Sequence, residues 1–197
     1  MSWYDGFKMQ LRDFDVNIVT TDNLGIYEDI FYCNKEYFLI TDGRIATRQD
    51  CIDTIEYSQN FYEDKAFCIG FTFQNTPVAF LSIIEEYPEK ETLYIGLFLM
   101  NNSFKRKGIG RRIITSLINE AFKYNYKTLK LSVQDNNMSG YSFWESLGFK
   151  IIDKTKCEGF YNLSMELTAT SHLFNQQEDK LWTNQGADGV ILKTRYM

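Results

Sequence analysis

The chain has 197 residues, 44% of them apolar and 24% charged, with a formal charge of −5. That length holds one domain with a full hydrophobic core, and the balance of apolar and charged residues excludes disordered, collagen-like and fibrous chains. An acidic chain repels nucleic acid and anionic membrane surfaces, so any anion site requires a local concentration of positive charge.

The first residues lack a basic segment followed by an apolar stretch, and no run approaches the ~18 apolar residues of a membrane span. Neither export nor membrane insertion is expected, and a cytoplasmic location follows. Cys33, Cys51, Cys68 and Cys157 are widely spaced and His172 is the single histidine, so no metal site and no disulfide framework is expected. Reduced, buried thiols suit a cytosol.

Phe7 to Val16 alternates loosely and predicts a first strand. Two helices are expected next, over about Asn23 to Phe38 and Thr47 to Asn60, separated by the turn-forming Thr41-Asp42-Gly43. Ala66 to Gln74 and Pro77 to Ile84 read as a hairpin reversing at Asn75-Thr76. Thr92 to Met100 is almost wholly apolar, as in a strand buried on both faces, and Gly96 within it predicts a bulge. Ile109, Ile113, Ile114, Leu117, Ile118, Ala121 and Phe122 then form one stripe of an amphipathic helix.

Lys127 to Val133 restores strand alternation, with Leu129, Leu131 and Val133 inward. A short helix from about Met138 ends at Gly148, and Phe149 to Lys156 and Phe160 to Leu167 complete the strands. This order predicts a mixed, mostly antiparallel α/β sheet of about seven strands with helices on both faces. Residues 1–168 are taken as one domain. The remaining 169–197, polar through Asn175 to Asp179 and apolar again at Gly189 to Leu192, form an extension whose role the sequence does not give.

Between the apolar strand and the amphipathic helix lies Lys105-Arg106-Lys107-Gly108-Ile109-Gly110-Arg111-Arg112, which places five cations in eight residues of an acidic protein. Cations crowding a helix N-terminus are unfavourable unless an anion joins them, and the glycines allow backbone amides to approach it closely. A diphosphate meets these requirements; a solvated basic patch that touches nucleic acid is the weaker alternative. A Walker loop and a G-x-G-x-x-G fingerprint are both absent, since Ile113 occupies the third glycine position.

Lys105 to Gly110 resembles the [RQ]-x-x-G-x-[GA] pyrophosphate loop of the GNAT acetyltransferase superfamily, with Lys at the first position. Asn137-Met138-Ser139-Gly140-Tyr141-Ser142-Phe143-Trp144, closing on Gly148-Phe149, is similar to the family's second signature. The resemblance covers about Phe7 to Leu167 and implies a sheet splayed between its fourth and fifth strands, with acetyl-CoA as cofactor. It further implies that the backbone of Phe98, Leu99 and Met100 pairs with the pantetheine arm. The amides of Lys105, Arg106, Lys107, Gly108, Ile109, Gly110 and Arg111 would hold the diphosphate, and Asn137 and Trp144 would flank the cofactor.

The implied reaction is direct attack of a primary amine, small-molecule or peptidic, on the thioester through a tetrahedral intermediate. Glu85, Glu86 and Tyr94 are candidate bases near the strand ends. Many members place Tyr where this chain has Trp144, and Tyr141 is the candidate to replace it as general acid. Without that Tyr, a catalytically silent acyl-CoA-binding sensor stays open as an alternative. Tyr27, Glu28, Tyr32, Glu36 and Tyr37 could line a pocket for a cationic acceptor or simply belong to an amphipathic helix. Oligomeric state is open, a homodimer included.

Overall fold

The computed structural model describes residues 2–172. The chain opens with helix α1 (Trp3–Gln10) and strand β1 (Asp15–Ile18). The strand expected over Phe7 to Val16 is thus helix as far as Gln10 and turn up to Phe14, with strand only from Asp15. The cause of the helix is visible in the sequence: Ser2 and Asp5 cap it reciprocally, and Trp3, Phe7 and Leu11 recur at a spacing of four and are buried.

Helices α2 (Glu28–Cys33), α3 (Lys35–Thr41) and α4 (Arg48–Tyr62) follow. The single helix expected over Asn23 to Phe38 is broken at Asn34, with φ −93° and ψ 43°. Asn34 is 5% exposed, and its amide nitrogen donates to the carbonyls of Ile30 (2.7 Å) and Met100 (2.9 Å). A buried side chain bonding backbone in this way competes with continuation of the helix.

Strands β2 (Ala66–Phe73) and β3 (Thr76–Glu85) form the expected hairpin. Gln74 and Asn75 both have positive φ, at 50° and 62°, which is the backbone of a type I′ two-residue turn. Next come β4 (Thr92–Met100), α5 (Ile109–Lys123), β5 (Thr128–Gln134), α6 (Met138–Glu145), β6 (Lys150–Lys156) and β7 (Tyr161–Thr168). One seven-stranded sheet results, in the order β1-β2-β3-β4-β5-β7-β6, with β4 and β5 its parallel pair.

Each face of the sheet carries its own core. Phe7, Leu81, Ile95, Ile113, Leu117, Leu131 and Phe149 belong to one, under α1 and α5; Phe31, Phe38, Cys51, Ile55, Phe80 and Leu99 belong to the other, under α2, α3 and α4. Period-two alternation along β3 and β4 sends neighbouring residues to opposite cores, which is why both strands read as continuous apolar runs.

Gly96 is the bulge residue: Ser82 pairs with Leu97 and Ile83 with Ile95, so Gly96 stands unpaired between them. The parallel ladder between β4 and β5 ends at Ile95 and Leu131, while both strands run on. Beyond the bulge they diverge. The extension expected over 169–197 begins with a helical turn at 169–172; Gly189 to Leu192 lies outside the described residues.

Candidate active site

The divergence opens a cleft of about 1100 Å³ between β4, β5, α3, the β4–α5 loop and α6. This is slightly larger than the usual small-molecule site. Gly96, Leu97, Phe98, Leu99 and Met100 form one wall and Leu131 to Gln134 the other.

Gly108 caps α5 with φ 77°, and Arg106 also lies in the left-handed region at 61°. Left-handed residues separated by one outside that region turn successive backbone N–H groups to one side, a concavity suited to anions. No side chain caps the N-terminus of α5, leaving its first N–H groups as donors at the positive end of a 15-residue helix. A Cβ at Gly110 would stand 3.5 Å from Met100 Sδ and the Phe98 ring, placing this glycine against the cleft wall.

The five cations divide. Lys105, Arg106 and Arg111 line the cleft; Lys107 and Arg112 do not, and neither does the apolar Ile109 between them. Lys107 lies over the Phe104 ring at 5.6 Å, and Arg112 turns away to pair with Asp13, beyond the end of α1. Lys105 Nζ donates to Asn34 Oδ1 at 2.6 Å, and partial removal from solvent lowers its pKa. Arg111 donates to Ser146 Oγ at 2.7 Å, joining the first turn of α5 to the end of α6.

On α6, Asn137 Oδ1 accepts from the Gly140 N–H at 3.0 Å, and Asn137, Phe143 and Trp144 line the cleft. Trp144 is 8% exposed and packs on Phe98, Phe143 and Phe149. Tyr141 is not on the cleft wall: its hydroxyl donates to Glu145 Oε1 at 2.6 Å, and that bond raises its pKa. Glu85 sits opposite Leu93, at the closed end of the β4–β5 pair, and accepts from the Trp3 indole N–H and from Tyr126. Glu86 is paired with Lys65 at 2.6 Å. Tyr94, by contrast, lies two residues before the bulge and is hydrogen-bonded to the cleft-lining Ser132; burial raises its pKa.

The expected acceptor pocket comes apart. Tyr27 is a core residue, 1% exposed, and Glu28 is engaged by Tyr32 and Arg48. Glu36 and Tyr37 do reach the cleft, joined by Ile40, Thr41 and Asp42. Burial, followed by the Asp42 charge, pushes the Tyr37 hydroxyl up to about 12.

Sequence reasoning did not single out Asn34, Ser132 or Gln134. Alternation puts Ser132 and Gln134 on one face of β5, yet only the covering helix α3 makes that face part of a cleft. Gln134 Nε2 donates to the Thr41 carbonyl at 3.5 Å, while Oε1 is sealed from solvent without a hydrogen-bond partner among the described residues. Such an oxygen costs on the order of 1–3 kcal/mol.

Residues 28–149 match the family model described as the acetyltransferase (GNAT) family. No curated protein sequence matches the chain. Among solved structures, an acetyltransferase from Thermus thermophilus is 19% identical with a TM-score of 0.65, over 79% of this chain and 96% of that one. The ribosomal-protein-S18-alanine N-acetyltransferase of Escherichia coli is 17% identical with a TM-score of 0.58, over 79% and 93%. PaiA N-acetyltransferase from Thermoplasma acidophilum, in complex with coenzyme A, is 16% identical with a TM-score of 0.56, over 79% and 98%. At these identities the likeness is one of fold.

Proposed function

We propose that this chain, which belongs to the GNAT acetyltransferase family, moves an acetyl group from acetyl-CoA to a primary amine. The observation that carries the reading is the cleft itself: it runs from the cation-bearing N-terminus of α5 to the bulge at Gly96. One end suits a diphosphate; the other exposes unpaired strand backbone to a narrow arm and its thioester.

The amides of Lys105, Arg106, Gly108, Gly110 and Arg111 and the side chains of Lys105, Arg106 and Arg111 bind the diphosphate. The backbone of Phe98, Leu99 and Met100 pairs with the pantetheine, and Asn137, Phe143 and Trp144 close the α6 side. Acetyl-CoA supplies an activated acyl carbon. A neutral amine forms the new C–N bond as the C–S bond breaks, and the amine loses one proton while coenzyme A leaves as its thiol. A bulge-region N–H stabilises the oxygen that gains charge during attack.

Glu85 and Glu86 are committed to other partners, and Tyr94 holds its proton tightly. The amine's proton is therefore assigned to solvent at the open side of the cleft, beside the exposed Gly96 and Ser132. At fixed total amine, kcat/KM should rise nearly tenfold per pH unit from about 7 to 9, because the neutral fraction of an amine of pKa near 10.4 rises so. A plateau near neutrality would instead require a base within the cleft.

A cytoplasmic location fits four cysteines that form no disulfide; among the described residues, no helix is long and apolar enough to cross a membrane. Incubation with acetyl-CoA and a panel of amines, followed by thiol release, tests the function. Binding of acetyl-CoA without turnover on any amine would favour the silent sensor, whose structural support is the absence of a Tyr hydroxyl from the α6 wall.

A further inference from the structure

Resting on the cofactor site of the acetyl-transfer reading, we infer that Asn34 is a positioning residue: by holding Lys105 at the diphosphate end of the cleft, it makes the protein prefer acetyl-CoA to an acetyl thioester that lacks the nucleotide. Asn34 stands buried between α2 and α3, and every polar atom of its side chain is engaged. Nδ2 donates to the carbonyls of Ile30 at 2.7 Å and Met100 at 2.9 Å, and Oδ1 accepts from Lys105 Nζ at 2.6 Å. The amide cannot be flipped, because its oxygen would then face two carbonyls and its N–H groups an ammonium.

Two bonds running in opposite directions fix this amide against the sheet. Asn34 donates one to Met100, the last residue of β4, and Asn102 Nδ2 donates one back to the Cys33 carbonyl at 2.6 Å. Lys105 follows shortly after, in extended backbone with φ −63° and ψ 154°. Its side chain is a flexible four-carbon stem, whose rotamer freedom opposes fixing it on a phosphate. Asn34 orders that stem in advance: one of the ammonium's N–H donors rests on Oδ1, and the others are left for an anion.

The chemistry of the holder matters as much as its place. Of the cleft-facing cations, two rest on neutral acceptors: Lys105 on the Asn34 amide, and Arg111 on the Ser146 hydroxyl at 2.7 Å and carbonyl at 3.2 Å. The two cations that do not face the cleft are held otherwise, Arg112 by the Asp13 carboxylate and Lys107 by the Phe104 ring. A carboxylate at position 34 would also hold Lys105, but it would cancel the charge that a diphosphate requires. An amide holds the ammonium and leaves its charge whole. The Glu36 charge acts on Lys105 as well, yet among the described residues the two form no ion pair.

The test uses the full chain and two thioesters, acetyl-CoA and S-acetylpantetheine, which share the acyl group and the arm and differ by the nucleotide and its phosphates. Affinities are measured by calorimetry or competition, without turnover. Asn34→Ala should weaken acetyl-CoA by about tenfold, the worth of one charge-assisted hydrogen bond, and change S-acetylpantetheine by less than about twofold. Asn34→Asp, nearly equal in volume, should weaken acetyl-CoA at least as much and again spare S-acetylpantetheine. In a Lys105→Ala background, Asn34→Ala should weaken acetyl-CoA no further, because its effect passes through the lysine. Equal weakening of both thioesters would overturn the inference, since Asn34 would then be merely structural, and so would losses that multiply in the double variant. Should both Asn34 variants fail to fold, the unsubstituted protein carries the test by NMR. The Asn34 side-chain amide resonance should move when inorganic pyrophosphate is added and stay still in Lys105→Ala; a resonance that pyrophosphate leaves unmoved in the unsubstituted protein would overturn the inference. Acetyl-CoA binding without transfer to any amine would remove the acetyl-transfer reading and leave these affinities to decide on Asn34, whereas failure of the unsubstituted protein to bind acetyl-CoA would remove both.

Discussion

At Gly70 the chain has no room for a side chain, because a Cβ there would overlap the ring of Tyr27, which is itself 1% exposed. A rigid aromatic in a filled core cannot step aside, so Gly70→Ala should destabilise by about 1–3 kcal/mol, read as a lower urea midpoint at unchanged slope. Open surroundings make Gly108 a different case. Nothing lies within 4 Å of a Cβ there, but φ of 77° strains any L side chain, so Gly108→Val should weaken acetyl-CoA binding through altered loop backbone more than it unfolds the protein. For Tyr141, whose hydroxyl is bonded to Glu145 outside the cleft, Tyr141→Phe should change kcat by less than about twofold, measured at saturating acetyl-CoA. The glycine-cation loop was legible because composition alone is unusual there. The direction of Tyr141 was not, since it depends on the rotation of α6 about its own axis.

Helix α4 shows how a local motif carries an element. Asp50 Oδ2 accepts from the Thr47 N–H and from its hydroxyl, each at 2.7 Å, and Arg44 grips the same carboxylate. Those bonds, Arg44 first, lower the Asp50 pKa in the folded protein. A depressed carboxylate contributes stability above its unfolded value of about 3.9 and loses it as pH falls through the folded one. Asp50→Ala should therefore cost about 1 kcal/mol at pH 7, and the difference from the unsubstituted protein should shrink as the pH is taken below about 4. In the β2–β3 turn, Asn75 holds φ of 62°, so Asn75→Gly should stabilise the hairpin by a few tenths to about 1 kcal/mol in thermal melts. The hairpin, α5 and the strands around it were legible because each has a clean period and clear turn residues. Helix α1 was misread as strand although Ser2 and Asp5 announced it, and the break at Asn34 could not be read at all, because its cause is the carbonyl of Met100, 66 residues away.

For the whole molecule, a ligand bound only by the folded state adds RT ln(1 + [L]/Kd), about 2.7 kcal/mol at a hundredfold excess over Kd. For a chain of this size that is a rise of roughly 5–10 °C in melting temperature with acetyl-CoA. Gly108→Val should remove the rise and Lys105→Ala only part of it; no shift in the unsubstituted protein would unseat the proposed cofactor site. The sequence by itself determined the α/β class, the bulge at Gly96 and the cation- and glycine-rich loop before α5. Each of these is written in neighbouring residues, through alternation, helical period or the density of cations and glycines. Only the tertiary structure decided which polar groups serve the cleft. Arg112 leaves the loop for Asp13, 99 residues away; Glu85 is taken by Trp3; and Gln134 becomes a sealed oxygen once the end of α3 covers β5. Such roles arise from contacts between elements remote in sequence, and packing of the sheet and its helices is what sets them.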